Sequence, residues 1–298
     1  MIINRANLAD MFRGFQTVFK DAWDQAPSMY ETVATVVPSS TSEEHYAWLG
    51  TMPRFREWIG DRQVQSLATS DFILRNKDFE LTIEVDRNHI EDDRLGVYRP
   101  MFQMLGQEAK THPDELVWNL LKDGFSTNCY DGQYFIDNDH PVLNADGVTW
   151  STWSNTGGGS GTPWFLLDLS RPIKPLIFQR RKDYQLVSMD KVDDENVFMR
   201  KTYRYGVDAR CNVGYGLPHL AYGSKATLDA AAYATARAGM MSLKGDRGKV
   251  LNIRPTHLVV PPALEKAAAE ILTAARTTGG ADNVLVGTAK LVVCPWLA

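Results

Sequence analysis

A chain of 298 residues that is 44% apolar can bury a substantial core, as one large domain or two linked ones. Its 32 basic residues against 36 acidic ones leave a formal net charge of -4, which excludes the broad positive field that a tight nucleic-acid binder presents to phosphates. No run approaches the roughly 20 apolar residues that cross a bilayer, and the N-terminus lacks the basic, apolar and small-residue regions of a signal peptide.

Taken in chain order, Asn7 can cap a helix carrying Leu8, Met11, Phe12, Phe15, Val18, Phe19 and Trp23, a wide apolar stripe that ends before Pro27. Such a stripe either docks on its own core or serves as an arm that docks on neighbouring subunits or a scaffold. From Trp48 to Asp71, helical periodicity is absent while Arg54, Phe55, Arg56, Trp58 and Arg62 crowd among Gly50, Pro53 and Gly60. Large apolar and cationic groups without core patterning point to a projecting arm that completes its burial against another chain; the alternative is a loop folded back on its own domain.

Between Lys77 and Asp86, Phe79, Leu81, Ile83 and Val85 alternate with charged or polar residues, the pattern of a half-buried strand. After the acids Glu91, Asp92 and Asp93, the residues Leu95, Tyr98, Phe102, Leu105, Ala109, Leu116 and Leu120 recur at helical spacing. The helix is expected to begin near Asp93 or Pro100, to bend near Pro113, and to end at Lys122 with Gly124 as a left-handed cap. From Leu95 to Leu121 it would span about 40 Å.

Farther along, Ser154 to Pro163, with Gly157, Gly158, Gly159, Ser160 and Gly161, reads as a flexible surface loop. Leu176–Phe178 and Val197–Tyr205 are candidate strands on either side of an acidic turn. Ser224 is placed as the cap of an Ala-rich helix reaching Leu243, and Gly245 to Lys249 as a turn before a strand at Val250–Ile253. Leu258–Val260 is a short strand, Pro261-Pro262 opens a helix stopped by Gly279 and Gly280, and Lys290–Cys294 is the final strand.

Catalytic motifs fail at specific positions. Ahead of Gly248-Lys249, Leu243 occupies the first glycine of a phosphate loop and Val250 its Ser or Thr. His219 replaces the third glycine of a dinucleotide fingerprint begun by Gly214 and Gly216, and Thr162 breaks a nucleophile elbow around Ser160. Asp137, Asp139 and His140 could ligate a metal, but an Asx turn before Pro141 explains them as simply. Acids at a helix start explain Glu91, Asp92 and Asp93 beside His89. Asp190, Asp193, Asp194 and Glu195 lack calcium-loop spacing. Cys129, Cys211 and Cys294, odd in number and far apart, give neither a disulfide framework nor a local zinc pattern and point to a reducing cytoplasm. No catalytic, cofactor-binding or metal-ligating residue is expected, and no cofactor.

Several stretches, in this order, resemble the major head (capsid) protein of Mu-like tailed phages: Asn88 to Pro100 (NHIEDDRLGVYRP), His112 to Gly124 (HPDELVWNLLKDG), Cys129 to Gly132 (CYDG), Arg171 to Arg181 (RPIKPLIFQRR), Arg254 to Glu265 (RPTHLVVPPALE) and Gly287 to Ala298 (GTAKLVVCPWLA). The resemblance covers nearly the whole chain. It implies an α+β fold of the Hong Kong 97 type: an N-terminal arm (1–45), an extended hairpin arm (46–76), a peripheral domain with a long spine helix (77–124), an axial domain (125–284) and a C-terminal strand (285–298) returning to the main body. It further implies self-assembly into an icosahedral virion shell around double-stranded DNA, in the host bacterial cytoplasm. The implied partners are copies of itself in hexamers and pentamers, a scaffold and protease, a portal, decoration proteins, and packaged DNA in non-specific contact.

On this reading the assembly contacts are Phe12, Phe15, Phe19 and Trp23 in the first arm and Arg54, Arg56, Trp58 and Arg62 in the second. No lysine lies between Lys20 and Lys77, so a lysine-to-asparagine crosslink from the hairpin arm, known in some capsids of the fold, lacks its nucleophile. The alternatives are a metal-dependent hydrolase using Asp137, Asp139 and His140, or a smaller ring or tail oligomer.

Overall fold

The computed structural model describes residues 5–46, 49, 72–92, 95–191, 194–276 and 280–298. The apolar stripe near the N-terminus folds as α1 (Arg5–Gln25), which already contains Asn7, so Asn7 is not its cap; the helix does stop ahead of Pro27. A short α2 (Tyr30–Val33) leads into β1 (Ala34–Pro38). Next, β2 (Glu43–His45) and β3 (Ile73–Arg75) pair antiparallel, forming a two-stranded stem whose connecting residues 47–48 and 50–71 lie outside the described ones.

The alternating segment is β4 (Lys77–Asp86). Val85 is buried and Phe79 and Ile83 half-buried, whereas Leu81 is exposed because it lines an open groove between this strand and the long helix. The carboxylate of Asp86 accepts from the Asn88 amide at 2.7 Å and caps α3 (Arg87–Glu91), so Glu91 and Asp92 end this short helix rather than start the long one, and a 3-10 turn over Leu95–Val97 leads on to α4 (Arg99–Lys122). Pro100 occupies the first turn of α4, where its missing donor costs nothing, and the helix runs on through Pro113 for 24 residues, about 36 Å. Gly124 is not a left-handed cap. A 3-10 turn over Asp123–Phe125 ends the helix, and Gly124 sits in a tight space, since a Cβ there would lie 3.2 Å from Phe135 Cδ1 and 3.3 Å from Ile136 Cγ1.

A hairpin of β5 (His140–Leu143) and β6 (Trp150–Trp153) follows, then β7 (Thr156–Gly159) and β8 (Trp164–Leu167). The glycine tract is therefore not a free loop: β7 lies against β11, and a Cβ on Gly157 would meet Ser224 Oγ and Tyr222 Oη at 2.6 Å. The candidate strand at Leu176 extends through 14 residues as β9 (Leu176–Met189). The one expected over Val197–Tyr205 divides into α5 (Glu195–Arg200) and β10 (Thr202–Tyr215), because Lys201 turns the chain through a left-handed conformation at φ 55°.

After β11 (Ala221–Lys225), the Ala-rich helix is α6 (Ala230–Ser242). Its cap is Asp229, which accepts from the Ala232 amide at 2.7 Å; Ser224 is buried in β11. The turn at Asp246–Gly248 joins β12 (Lys244–Gly245) to β13 (Lys249–Val250), so the strand expected through Ile253 is only two residues long. Finally come β14 (His257–Val260), α7 (Glu265–Leu272) and β15 (Lys290–Val293). Helix α7 stops well before Gly279 because the Asn283 side-chain amide donates to the carbonyls of Glu270, Ile271 and Ala274 at 2.9 to 3.1 Å, closing its C-terminal end.

Two larger sheets result. One has the order β1-β9-β10-β4, the other β15-β14-β8-β11-β7. Because β10 pairs with β4 on one side and with β9 on the other, the first sheet draws strands from both sides of the 124/125 boundary expected from the sequence. Three apolar cores lie between these layers. One gathers α1, the first half of α4 (Phe102, Leu105, Ala109) and Val85, Tyr203, Tyr205 and Val207 of the sheet. A second joins Val117, Trp118 and Leu121 at the other end of α4 to Phe165, Phe178 and Tyr215. The third fills the space between the second sheet and α6 and α7. Thus α4 contributes to two cores, with Pro113 between its contributions.

Candidate assembly surfaces and a buried polar cluster

Four of the candidate contact residues sit on α1, and the structure brings them onto the chain's own peripheral core. Phe15 stacks on Phe102 of α4 at 3.9 Å between ring centroids and meets Tyr205 edge-on at 5.5 Å. Phe12 stacks on Tyr205 at 6.0 Å. Phe19 is buried, while Trp23 is half-buried against Tyr184 at 5.4 Å with the Lys110 ammonium 5.2 Å from its centroid. Close approach of α1 and α4 depends on Gly106, where a Cβ would stand 2.3 Å from the Phe19 carbonyl oxygen. Sequence reasoning missed Gly106; its signal is a glycine inside a strongly periodic helix, which costs about 1 kcal/mol against alanine unless packing requires it. Arg54, Arg56, Trp58 and Arg62 lie outside the described residues.

Beside the foot of α1, Phe79, Leu81, Ala109, His112, Tyr184 and Val207 line an open groove of about 390 Å³. At its floor His112 Nδ1 and Tyr184 Oη are 2.5 Å apart, and burial holds His112 below the usual imidazole range. At the far end of the β9–β10 hairpin, Phe198 and Met199 of α5 are 79% and 69% exposed, with Val187 and Met189 exposed nearby. Sequence reasoning took Phe198 for part of a strand.

The trio Asp137, Asp139 and His140 is not gathered into one site. Asp137 accepts from the amides of Asn138 (2.7 Å) and Tyr134 (3.2 Å), which makes it a turn former, and Asp139 is exposed. His140 is sealed from solvent and pairs with Asp131 instead, Nδ1 to Oδ2 at 2.7 Å. Asp131 also accepts from the Cys129 thiol at 3.0 Å. Burial acts to raise the Asp131 carboxyl, but the hydrogen bonds from His140 and Cys129 prevail and hold it below the usual range; burial and Asp131 push the Cys129 thiol up. The His140 ring stacks on Trp153 at 4.5 Å, and Trp153 in turn on His219 at 4.2 Å. Burial, reinforced by His140, lowers His219 to about 3.

These surfaces are for packing rather than for turnover. A long helix spanning two cores, an N-terminal helix laid along it, a hairpin stem and two separate larger sheets define a capsid subunit of the Hong Kong 97 type. More narrowly, the chain belongs to the family described as Mu-like prophage major head subunit gpT, whose model matches residues 8–297. It is 45% identical to the Mu-like prophage FluMu major head subunit of Haemophilus influenzae over 268 residues, 88% of this chain and 87% of that one. It is 40% identical to the major capsid protein of Escherichia phage Mu, with all of both chains covered. Among solved structures, it superposes on a chain of the bacteriophage JBD30 procapsid with a TM-score of 0.87 at 45% identity, covering 99% of this chain and 100% of that one. On a chain of the JBD30 capsid the TM-score is 0.78 at 32% identity, with both chains fully covered. The protein is a structural virion component that self-assembles into the icosahedral head enclosing double-stranded phage DNA, and not an enzyme. No helix among the described residues is long and apolar enough to cross a membrane.

Proposed function

We propose that this subunit builds its shell through two kinds of contact: a projecting hairpin carried by the β2–β3 stem, and the outer flank of α1 held on the spine helix. The stem supports the first part, since its strands close the ends of residues 46–76 and the Tyr46 amide donates to the Phe72 carbonyl at 2.9 Å. Arg54, Arg56, Trp58 and Arg62 are its reaching residues. On α1, Phe15 and Phe19 anchor the helix to its own subunit, while the half-buried Phe12 and Trp23 border the face offered to a neighbour. Each pairwise contact is modest, and repetition around hexamers and pentamers makes the shell stable.

The peripheral domain is residues 77–124 together with the outer parts of β9 and β10, and the axial domain is built around the second sheet. The observation that carries the reading is full-length agreement with a procapsid subunit, at a TM-score of 0.87 over 99% of this chain. Expected partners are a scaffold and protease, a portal, and packaged DNA in non-specific contact. A JBD30 capsid relative is decorated with minor capsid protein trimers, and we extend a decoration partner to this chain. Negative-stain microscopy and size-exclusion chromatography of the purified protein, with and without its scaffold, should show rings, tubes or shells. A strictly monomeric protein at every salt, concentration and scaffold condition refutes the reading.

A further inference from the structure

We propose that Cys129, Asp131 and His140 form a binding site for a thiophilic divalent cation, zinc by its donor set. One ligand atom from each of the three lies within 4.8 Å of the other two. The thiol and imidazole are buried, and the carboxylate is almost so, with 11% of its side chain exposed. Such proximity is not an accident of mobile surface groups, because two hairpins hold the donors.

Cys129 and Asp131 flank a tight turn in which the Cys129 amide donates to the Gln133 carbonyl at 2.7 Å and Gly132 takes a φ of 86° that other residues resist. The Gln133 amide fixes Asp131 Oδ1 at 3.1 Å. His140 is the first residue of β5, and its ring is clamped flat on Trp153. Donors fixed in this way lose little freedom on binding. The ring also has a buried Nε2 with no hydrogen-bond partner, so the imidazole is incompletely satisfied by the protein alone.

Charge decides the kind of ion. A thiolate and a carboxylate supply two negative charges, which a divalent cation cancels inside a sealed site where an uncompensated charge is costly. Sulfur and nitrogen donors select zinc and its neighbours over magnesium or calcium, which take oxygen ligands. On binding, the Cys129 S–H bond breaks and its proton leaves to solvent, the His140 ring proton passes from Nδ1 to Nε2, and bonds from sulfur, His140 Nδ1 and a carboxylate oxygen to the cation form in place of the His140–Asp131 hydrogen bond; nothing is oxidised or reduced. Three protein donors leave a fourth tetrahedral position for water. Because the Ile136 amide donates to the Gly124 carbonyl at 2.8 Å, such a site would tie the turn directly to the end of the spine helix.

The test uses the full chain, purified without chelator, with metal content by mass spectrometry and a titration of the metal-free protein with cobalt(II). The expected result is about one zinc per chain and a thiolate-to-cobalt charge-transfer band in the near ultraviolet. Both should be lost in Cys129→Ser and in His140→Gln, and both kept in Cys211→Ala, which removes a buried thiol outside the Cys129–Asp131–His140 cluster. Folding of each variant is checked by circular dichroism, and the cobalt titration of the unaltered chain needs no variant. Absence of both metal and the charge-transfer band in the folded wild-type protein overturns the proposal, as does full metal retention in either site variant.

Discussion

Replacing Phe15 by alanine tests whether α1 belongs to its own subunit. The ring is 6% exposed, stacked on Phe102 and edge-on to Tyr205. Burying a ring of roughly 150 Å² at about 25 cal/mol per Å² contributes about 4 kcal/mol, which agrees with the roughly 3–5 kcal/mol typical of removing a buried Phe. The 21-residue helix holds its shape chiefly through this packing, since most helical stability in a folded protein comes from burial of an apolar face. A loss of about 4 kcal/mol multiplies the undocked population of α1 roughly a thousandfold. Amide hydrogen exchange on unassembled subunits should therefore show protection collapsing over residues 5–25 and the facing turns of α4, with a lower melting temperature. Gln16→Ala, on the exposed side of the same helix, should change neither. If Phe15→Ala leaves exchange and melting intact while particle yield collapses, the ring does its work against a neighbouring chain and the intrachain reasoning is wrong.

Three further perturbations address other contacts. Gly106→Ala improves helix propensity by about 1 kcal/mol but sets a methyl 2.3 Å from the Phe19 carbonyl, so a net loss of about 1–3 kcal/mol is expected in denaturant melts; net stabilisation would mean α1 does not sit there. His219 has a folded pKa of about 3 against 6.5 when unfolded, so the neutral ring's contribution is complete above pH 6.5 and is lost as pH falls toward 3, at a slope of at most about 1.4 kcal/mol per pH unit. His219→Gln should flatten that part of the stability curve, and an unchanged slope would show the ring is not held neutral. For the proposed assembly contacts of the second arm, Trp58→Ala, or Arg54→Glu with Arg56→Glu, should leave monomer melting nearly unchanged while abolishing or misdirecting assembly, measured as particle yield; parallel loss of both would place these residues in an internal loop.

Where one physical signal dominated a segment, the sequence could be read. Strand β4 alternates cleanly, the seam of α4 is periodic from Tyr98 onward, and β14 and β15 are short apolar runs bounded by prolines or a lysine. Where signals competed, reading failed. The middle of β9, Arg180 to Asp183, is charged and exposed throughout, so only the buried beginning of the strand looked like one. Phe198 and Met199 imitate strand residues while standing exposed on α5, and no local pattern marks the left-handed turn at Lys201. Ser224 and Asp229 are both good caps in isolation, and the pairing of β11 with β8 decides between them. The buried cluster was half visible: His140 drew notice, but its partner Asp131 lies nine residues back and across a turn, beyond any local spacing rule.

A chain that must meet many copies of itself at chosen places has to refuse them elsewhere, and the outer strand β7 shows one way of doing so. An edge strand exposes a row of free donors and acceptors that another chain can extend, which in a crowded pool of identical subunits leads to fibres. Here Gly158 and Gly159 adopt φ values of 63° and 89°, and the ladder to β11 holds only at Thr156 and Gly159, with an irregularity between. Backbone groups on the outer side are thereby turned out of the straight spacing a docking strand requires. Filling the tract with β-branched residues would straighten that edge, and the side chains would also collide with Ser224 and Lys225. The same glycines that let the strand approach its sheet so closely therefore also make it a poor template for a further strand.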